Sequence, residues 1–179
     1  IVDVIPIGAT GQAPGNLDSA TVIGAQWTST INFDPLEWKG AKLDADIILQ
    51  RSRLKDPLTG EHREISENLQ RQINLNLRHD IPKTPWAWGV GYEDFAMARG
   101  YRLDQRYRFY NKPGGLSVFV ENKNVYGLTV RGLVYGLLNT NEAFDREFYN
   151  GRRTNGLAFT ESRDRFYGLI FQATVTGKF

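Results

Sequence analysis

The chain has 179 residues, a formal net charge of +2, two histidines and no cysteine. Nothing in this charge balance indicates nucleic-acid binding. The lack of cysteine excludes disulfide bonds, thiolate metal sites and cysteine nucleophiles. Charged or amide side chains interrupt every apolar run before it reaches the roughly 18 residues of a membrane-spanning helix, which excludes a helical membrane protein.

Residues 1–19 are rich in glycine and proline, nearly uncharged and without a strand pattern. We expect them to form an irregular extracellular loop that leads into the first strand. The chain begins at Ile1 rather than methionine and shows no basic and apolar leader. This beginning favours one part of a longer chain over a complete protein.

From residue 20 onward, apolar and polar side chains alternate, a pattern that puts one kind on each face of a strand. In the clearest segment, Ile73 and Leu75 alternate with Gln72, Asn74 and Asn76. The sequence predicts about seven such strands, at residues 23–33, 42–50, 69–78, 86–92, 116–120, 128–139 and 166–179.

The connections between these segments alternate in length. Those at 34–40, 80–85 and 122–126 are short, whereas 54–63 is intermediate and 99–114 and 145–163 are long. Membrane barrels have short periplasmic turns and long extracellular loops. If the last strand ends in the periplasm, every short connection lies on that side. Aromatic residues, which favour membrane interfaces, fall at the same strand ends and predict a girdle: Phe33, Trp38, Trp86, Trp88, Tyr126 and Phe179.

A soluble sandwich or small barrel also alternates apolar and polar residues, and ordinary packing at strand ends could explain the aromatic residues. However, strands of about 10 to 16 residues exceed the soluble average of about 5 or 6 and suit a tilted bilayer crossing. Long amides and charges on the polar face fit a water-filled lumen. The sequence therefore predicts an all-β fold, a transmembrane antiparallel up-and-down β-barrel, with a soluble lipocalin-like binder as a minor alternative.

Two segments resemble the C-terminal barrel region of TonB-dependent outer-membrane receptors, and the resemblance extends from about Thr21 to Phe179. The first is Leu137-Leu138-Asn139, followed by Phe144 and Tyr149, in which Gly136 replaces the asparagine usual in the family. The second is the closing segment, residues 163–179, which runs from Arg163-Asp164-Arg165 through Phe171 to Gly177-Lys178-Phe179.

The resemblance implies a 22-stranded barrel filled by an N-terminal plug domain in the outer membrane of a Gram-negative bacterium. Residues 20–179 would then be the C-terminal portion of the barrel, and the plug and the remaining strands would lie outside this chain, for example on a second chain. The implied partners are this remainder of the barrel, the TonB complex acting through the plug, outer-membrane lipid and lipopolysaccharide. Phe171 and the terminal Phe179 would form the barrel-assembly signal.

No catalytic motif is recognisable, so we expect neither an enzyme nor a cofactor or metal site. Asp44 and Asp46 lie on one strand face, where a solvated lumen explains them better than a cation site or an acid pair. His79 fits an interfacial position at a strand end, and His62 an exposed loop.

Arginine and tyrosine are interleaved in the two longest connections. Guanidinium groups bind anionic oxygens, and tyrosine adds flat contact area and hydroxyls. We expect these residues to contribute to ligand capture, although pairing with lipopolysaccharide phosphates or with neighbouring carboxylates explains them equally well. They are Arg99, Tyr101, Arg102, Arg106, Tyr107, Arg108 and Tyr110, with Arg146, Tyr149, Arg152 and Arg153.

The resemblance implies TonB-dependent uptake of a scarce nutrient, such as an iron–siderophore complex, cobalamin or an oligosaccharide. A passive porin and an autotransporter-type translocation barrel share the alternating strands and remain alternatives. An outer-membrane barrel enzyme is a weaker one, because no nucleophile stands beside either histidine in the sequence.

Overall fold

The computed structural model describes residues 1–177 and is all-β, with antiparallel sheets. Within residues 1–177 the helical structure consists of one 3₁₀ turn, Asp34–Leu36. No helix among these residues is long and apolar enough to cross a membrane. The strands are β1 (Val2–Ile7), β2 (Gly11–Asn16), β3 (Ala20–Asn32), β4 (Ala41–Lys55), β5 (His62–Arg63), β6 (Leu69–Asp80), β7 (Trp86–Met97), β8 (Gly100–Tyr101), β9 (Gln105–Lys112), β10 (Gly115–Val125), β11 (Leu128–Tyr135), β12 (Asn141–Tyr149), β13 (Leu157–Phe166) and β14 (Ile170–Thr176).

Seven of these strands, here called the wall, form a continuous antiparallel meander in the order β3-β4-β6-β7-β10-β11-β14. Each wall strand contains or overlaps one of the seven segments predicted from alternation. The last strand begins at Ile170 rather than at Phe166, which belongs to β13, and Phe179 lies outside the described residues.

The prediction of about seven strands was wrong as a count, because the connections also contain strands. Beyond the wall, β9 pairs with the end of β7 and with β12, and β12 pairs with β13. The neighbour order β9-β12-β13 is the same as the order β10-β11-β14 in the wall, and each of the three strands is next along the chain to its counterpart in the wall. Three wall strands therefore continue beyond the end of the wall after a short interruption. The long loops predicted at 99–114 and 145–163 shorten to the connections 98–104 and 150–156.

Two of these interruptions meet at a pair of glycines. Gly136 has φ +85° and Gly168 has φ +67°, backbone conformations that glycine adopts without a Cβ penalty. A Cβ on Gly136 would also overlap the carbonyl oxygen of Gly168. This close approach gives a physical reason for glycine at position 136, where the resembled family usually has asparagine.

The wall has one apolar face and one polar face, and their residues align from strand to strand. One row of directly opposed residues is apolar across all seven strands: Ile31, Leu43, Leu77, Val90, Val118, Val134 and Phe171. An adjacent row on the opposite face is mostly polar or small: Thr30, Asp44, Asn76, Gly91, Ser117, Tyr135 and Ile170. A register slip of one residue would exchange the two faces.

Within residues 1–177 no second layer covers the apolar face of the wall. Its large side chains are exposed on the edge strands, with Ile23 at 74%, Trp27 at 55% and Phe171 at 73% of their full accessibility, and mostly half-buried on the inner strands, as for Leu77 and Val118. Apart from Leu54 near the rim end of β4, the buried apolar residues of the wall are alanines, such as Ala41 and Ala45, which lie on a strand with neighbours on both sides. A soluble sandwich would bury such a face against a second sheet.

The short connections occur at one end of the wall, as predicted, with aromatic side chains beside them. Trp88 donates its indole N–H to His79 Nδ1 at 3.1 Å. Trp38 packs against both rings and against Phe33, with its centroid 5.4 Å from those of Phe33 and His79. His79 thus belongs to an aromatic cluster at a strand end.

Residues 1–19 were predicted to be irregular, and this is wrong, because β1 and β2 form a regular antiparallel hairpin around Gly8, which has φ +58°. Prolines do not prevent pairing here. Pro6 and Pro14 lie in a two-stranded sheet, where each strand has an outer edge that needs no N–H donor.

Candidate functional site

The site is built at the end of the wall opposite the short connections, in a region here called the rim. It consists of β5, β8, β9, β12 and β13, the connections 56–68, 98–104 and 150–156, and the β1–β2 hairpin. Four of these pieces meet at a buried group of charges. Arg63 donates to Asp3 at 2.7 Å and to Asp56 at 2.5 Å, and Arg153 donates to Asp56 at 2.7 Å.

This buried ion network is electrically balanced, with two carboxylates and two guanidinium groups. The side chains of Asp3 and Asp56 are each 1% exposed, and those of Arg63 and Arg153 are 4% and 9% exposed. Tyr101 packs between the arginines, with its ring centroid 4.5 Å from the Arg63 guanidinium carbon and 5.1 Å from that of Arg153. Arg153 and Tyr101 therefore hold the rim together.

Both carboxylates of the network stay ionised to low pH. Burial disfavours the charge of Asp3, but hydrogen bonds from Arg63 and Ser66 outweigh it and lower its pKa below the ordinary value. For Asp56, burial is likewise outweighed by the hydrogen bond from Arg153, together with backbone N–H donors, so its pKa is also lowered. Hydrogen bonding to the charged form is the cause in both cases.

Two further contacts fasten the β1–β2 hairpin to the rim. The backbone N–H of Leu103 donates to the side-chain oxygen of Gln12 at 2.7 Å. Arg152 donates from Nε to the carbonyl oxygen of Ala9 at 2.7 Å and from Nη2 to that of Gly8. Arg152 thus has a structural role.

The strand pairing fixes which side of the rim each predicted residue occupies. Ala96 lies on the apolar face of β7, because it is an even number of residues, six, along the strand from Val90 of the apolar row. It pairs directly with Tyr110. Alternation then puts Arg106 and Arg108 on the same side as Tyr110, and Tyr107, Phe109 and Asn111 on the other. The predicted arginine and tyrosine residues are therefore divided between two faces.

On the side continuous with the apolar face, the rim is polar and internally paired. Arg106 donates to Glu147 at 2.6 Å, and the Tyr149 hydroxyl donates to the same carboxylate at 2.9 Å. Burial opposes ionisation of Glu147, but these two donors lower its pKa. Tyr110 donates to Asp145 at 3.0 Å. Arg106, Tyr110 and Tyr149 thus each contact a carboxylate within the rim, the arrangement that the alternative interpretation describes.

Arg108 shares this side of the rim, with its guanidinium carbon 5.2 Å from the Tyr110 ring centroid. Its Nη2 makes a long hydrogen bond of 3.3 Å to the side-chain oxygen of Gln70. Arg99 is exposed and Arg102 half-buried in the connection between β7 and β9. The Arg102 carbonyl oxygen accepts a hydrogen bond of 2.6 Å from Arg153.

On the side continuous with the polar face, the rim is aromatic. Phe109 and Phe144 lie 4.5 Å apart between ring centroids, and Tyr107 lies 6.0 Å from each. Phe148 and Phe159 stack at 4.5 Å, one row beyond Tyr107 on the same side. These five residues are called the aromatic patch.

Arginines lie over the aromatic patch. The guanidinium carbon of Arg163 is 4.5 Å from the Phe144 ring centroid, and that of Arg146 is 4.3 Å from the Phe148 centroid. Such cation–π contacts contribute about 0.5–1 kcal/mol each at exposed sites. Both arginines also pair with Glu161, at 3.0 and 2.5 Å. Arginine N–H groups and aromatic ring faces therefore lie side by side at the aromatic patch.

A cavity of about 390 Å³ opens beside the patch, lined by Phe109, Glu142, Phe144, Arg163, Asp164 and Arg165. Arg165 is 74% exposed and lies 3.5 Å from Glu142, which also accepts a hydrogen bond of 2.8 Å from the Tyr167 hydroxyl. Flat apolar rings beside exposed guanidinium groups can bind a ligand that is planar in part and anionic in part.

The structure therefore brings only Tyr107 and Arg146 of the eleven predicted ligand residues to the aromatic patch. Tyr107 is further tied by its hydroxyl, which donates to Glu67 at 2.5 Å. Phe144, Arg163 and Arg165 were not among the predicted site residues. The sequence signal was available in β13, where Glu161, Arg163 and Arg165 occupy alternate positions and so share one face.

The remaining sequence candidates have ordinary surroundings. Asp44 accepts hydrogen bonds from Thr30 and Lys42, and Asp46 accepts one from Thr28, all on the polar face of the wall. No group of three or more metal-binding side chains occurs among residues 1–177. His62 is exposed as predicted, although it lies in the two-residue strand β5 rather than in a loop. Phe171, of the predicted assembly signal, ends the apolar row on β14.

None of the protein-family models, curated proteins or solved structures that were compared with the chain matches it. The resemblance to TonB-dependent receptors therefore rests on the sequence segments around Asn139 and Phe171.

Proposed function

We propose that the chain forms part of the wall of a transmembrane outer-membrane β-barrel, its apolar face toward lipid and its polar face toward the lumen. The exposed apolar row supports this orientation, because a membrane barrel keeps such a band against hydrocarbon. The proposed whole is the 22-stranded barrel implied by the resemblance, with this chain contributing the C-terminal strands.

The observation that carries the function is an exchange of polarity at the rim. The side that is apolar in the wall carries the ion pair Arg106–Glu147 above it, whereas the side that is polar in the wall carries the aromatic patch. Above the hydrocarbon, the outer side contacts water and lipopolysaccharide, so charge is favourable there. Aromatic rings and arginines facing the lumen supply a surface that captures a ligand as it enters.

We therefore assign the chain to TonB-dependent import of a scarce nutrient, such as an iron–siderophore complex, cobalamin or an oligosaccharide. A plug domain that receives energy from TonB is the partner this activity requires. The chain would supply wall and capture surface and needs no bond chemistry, since a ligand acts by its differential affinity for plug and barrel conformations.

Uptake measurements in a bacterium with and without the gene test this proposal. The probes are a radiolabelled iron–siderophore complex, labelled cobalamin and a labelled maltooligosaccharide. We expect saturable uptake of one probe, lost when either the gene or TonB is removed. Uptake that depends on the gene but not on TonB would instead identify a passive porin.

A pair of matched variants tests the capture surface. Replacing Arg163 and Arg165 together by glutamine is expected to lower the affinity for the transported probe at least tenfold, because both side chains are exposed beside the aromatic patch. The control is Arg108→Gln, on the opposite side of the rim. Equal effects of the two variants on affinity would contradict a lumen-facing capture surface.

A further inference from the structure

Basic residues follow the apolar face of the wall where β4 enters the rim. On β4 this face ends at Leu49, and its next three positions are Arg51, Arg53 and Lys55. These three side chains are exposed, whereas the residues between them are buried. On the neighbouring strand β6, Arg71 is directly opposite Leu49 on the same face and is also exposed. The three basic residues of β4 and Arg71 are called the basic group.

The height of the basic group fits the edge of a bilayer. Ala41 is directly opposite His79 of the aromatic cluster, at the end of the wall with the short connections. Arg51 lies ten positions after Ala41 on β4, a length of about 33 Å at about 3.3 Å per residue. A strand tilt of about 40° reduces this length to a height of about 25 Å, which is the height of the apolar band of membrane barrels. Arg51 therefore lies at the boundary between hydrocarbon and lipid headgroups.

The basic group has more positive charge than the described residues offset. Arg71 pairs with Asp94 at 2.6 Å. Arg51, Arg53 and Lys55 form no ion pair within residues 1–177. In contrast, the arginines of the buried ion network and those over the aromatic patch each pair with a carboxylate. Successive positions on one strand face are about 6.6 Å apart, so these like charges repel each other and favour an anion bound among them.

We propose that the basic group binds the phosphate groups of one lipopolysaccharide molecule in the outer leaflet. Guanidinium groups bind phosphate oxygens through paired N–H donors, and the lysine ammonium adds a compact charge. Clusters of basic residues at a membrane surface bind anionic headgroups. Exposed Ile23 is directly opposite Arg51, and exposed Leu49 is the preceding residue on that face of β4. The acyl chains of the same lipid therefore meet apolar side chains beside the phosphate site.

The leaflet follows from the topology predicted for the chain, in which the short connections are periplasmic and the rim is extracellular. This inference rests on the barrel part of the proposed function but not on transport. None of its residues belongs to the lumen-facing surface proposed for ligand capture.

Lipid titration of the full-length protein tests the inference. The protein is purified from its natural membrane into detergent, and native mass spectrometry counts the bound molecules and gives their affinity. The probes are lipid A with its phosphates, the same lipid A after enzymatic removal of the phosphates, phosphatidylglycerol and inorganic phosphate. We expect one molecule of phosphorylated lipid A to bind, and each other probe to bind at least tenfold more weakly.

This comparison uses the unaltered protein, so it does not depend on the folding of any variant. Equal affinity for lipid A with and without phosphates would overturn the proposal. Equal affinity for phosphatidylglycerol would also overturn it, because the surface would then bind any anionic lipid. Inorganic phosphate binding as tightly as phosphorylated lipid A would show an adventitious ion only and would overturn it as well.

A matched pair of double variants locates the site. Arg51→Gln with Arg53→Gln removes two exposed charges from the basic group. Arg163→Gln with Arg165→Gln removes two exposed charges from the lumen-facing side of the rim. Arg71 is retained in both variants because its partner carboxylate is buried. We expect the first variant to bind phosphorylated lipid A at least tenfold more weakly and the second to bind it like the natural protein. Equal losses in the two variants would overturn the assignment of the site.

The outcome is separable from that of the uptake measurements. Phosphate-dependent binding of lipid A together with failed uptake of every probe would leave this inference standing and refute the proposed transport. TonB-dependent uptake by a protein whose lipid A binding does not depend on phosphate would overturn this inference alone.

Discussion

The wall and the rim belong to the same chain, but their side chains are arranged by different rules. In the wall, the two faces differ by row, and one apolar row runs unbroken from Ile31 to Phe171. In the rim, contacts are set by particular pairs such as Arg63–Asp3 and Arg106–Glu147. In the wall, a position requires only an apolar or a polar side chain, because the surroundings are the same along each face. In the rim, a position requires one particular residue, because that residue contacts a particular partner.

The largest expected effect is on the buried ion network of the rim. Arg63→Met leaves Asp3 and Asp56 buried without this guanidinium partner, a loss that costs about 3–5 kcal/mol of stability for a buried pair. We expect the β1–β2 hairpin to detach, with cleavage of residues 1–17 by limited proteolysis. The control is Arg165→Met, whose side chain is 74% exposed. Similar protease resistance of both variants would show that the network does not hold the hairpin.

The next effect compares the two faces of the wall at adjacent positions. Phe171→Arg puts a charge on the apolar face near the rim end of β14, where the cost lies below the roughly 2–4 kcal/mol that such a charge costs at the middle of a bilayer. Gln172→Arg puts the same charge on the polar face, where the cost is small. Folding into lipid vesicles, followed by urea titration, measures the difference. Equal stabilities would contradict the assignment of the faces.

A smaller effect concerns packing on the polar face. A Cβ on Gly89 would overlap the ring of Phe119 and the carbonyl oxygen of Leu77, so Gly89→Ala should cost about 1–3 kcal/mol by overpacking. Gly132→Ala is the matched control, since its Cβ would meet nothing within 4 Å, and it should stabilise by about 0.4–1 kcal/mol. Both values come from the same urea titration, and a harmless Gly89→Ala would count against this packing.

The smallest effect within the physiological range is that of pH on the hairpin. Because the pKa values of Asp3 and Asp56 are lowered from 3.8, their contribution is complete above that value and is lost as pH falls through the folded pKa. Hydrogen exchange of residues 1–17 should be protected at pH 7 and pH 5 and lose protection below about pH 3.8. Loss of protection between pH 7 and pH 5 would point to a different titrating group.

Much of the wall could be predicted from the sequence, and little of the rim. Alternation located the seven wall strands because solvent on each face constrains every second residue. The rim hairpin, β1–β2, was not predicted because its prolines and glycines are typical of loops. Its contacts with the rim come from isolated residues such as Asp3 and Gln12, which form no sequence pattern. The sequence grouped Arg106, Tyr107 and Arg108 by proximity and could not show that they alternate between two sides of β9.

The proposed lipid-facing wall is tested most directly by chemical accessibility along β14. The chain has no cysteine, so single-cysteine variants at residues 171–176 report one position each in the native membrane. We predict that cysteines at 171, 173 and 175 react only with a lipid-soluble maleimide, whereas those at 172, 174 and 176 react with a water-soluble one. Uniform reaction with the water-soluble reagent at all six positions would contradict a membrane-embedded wall.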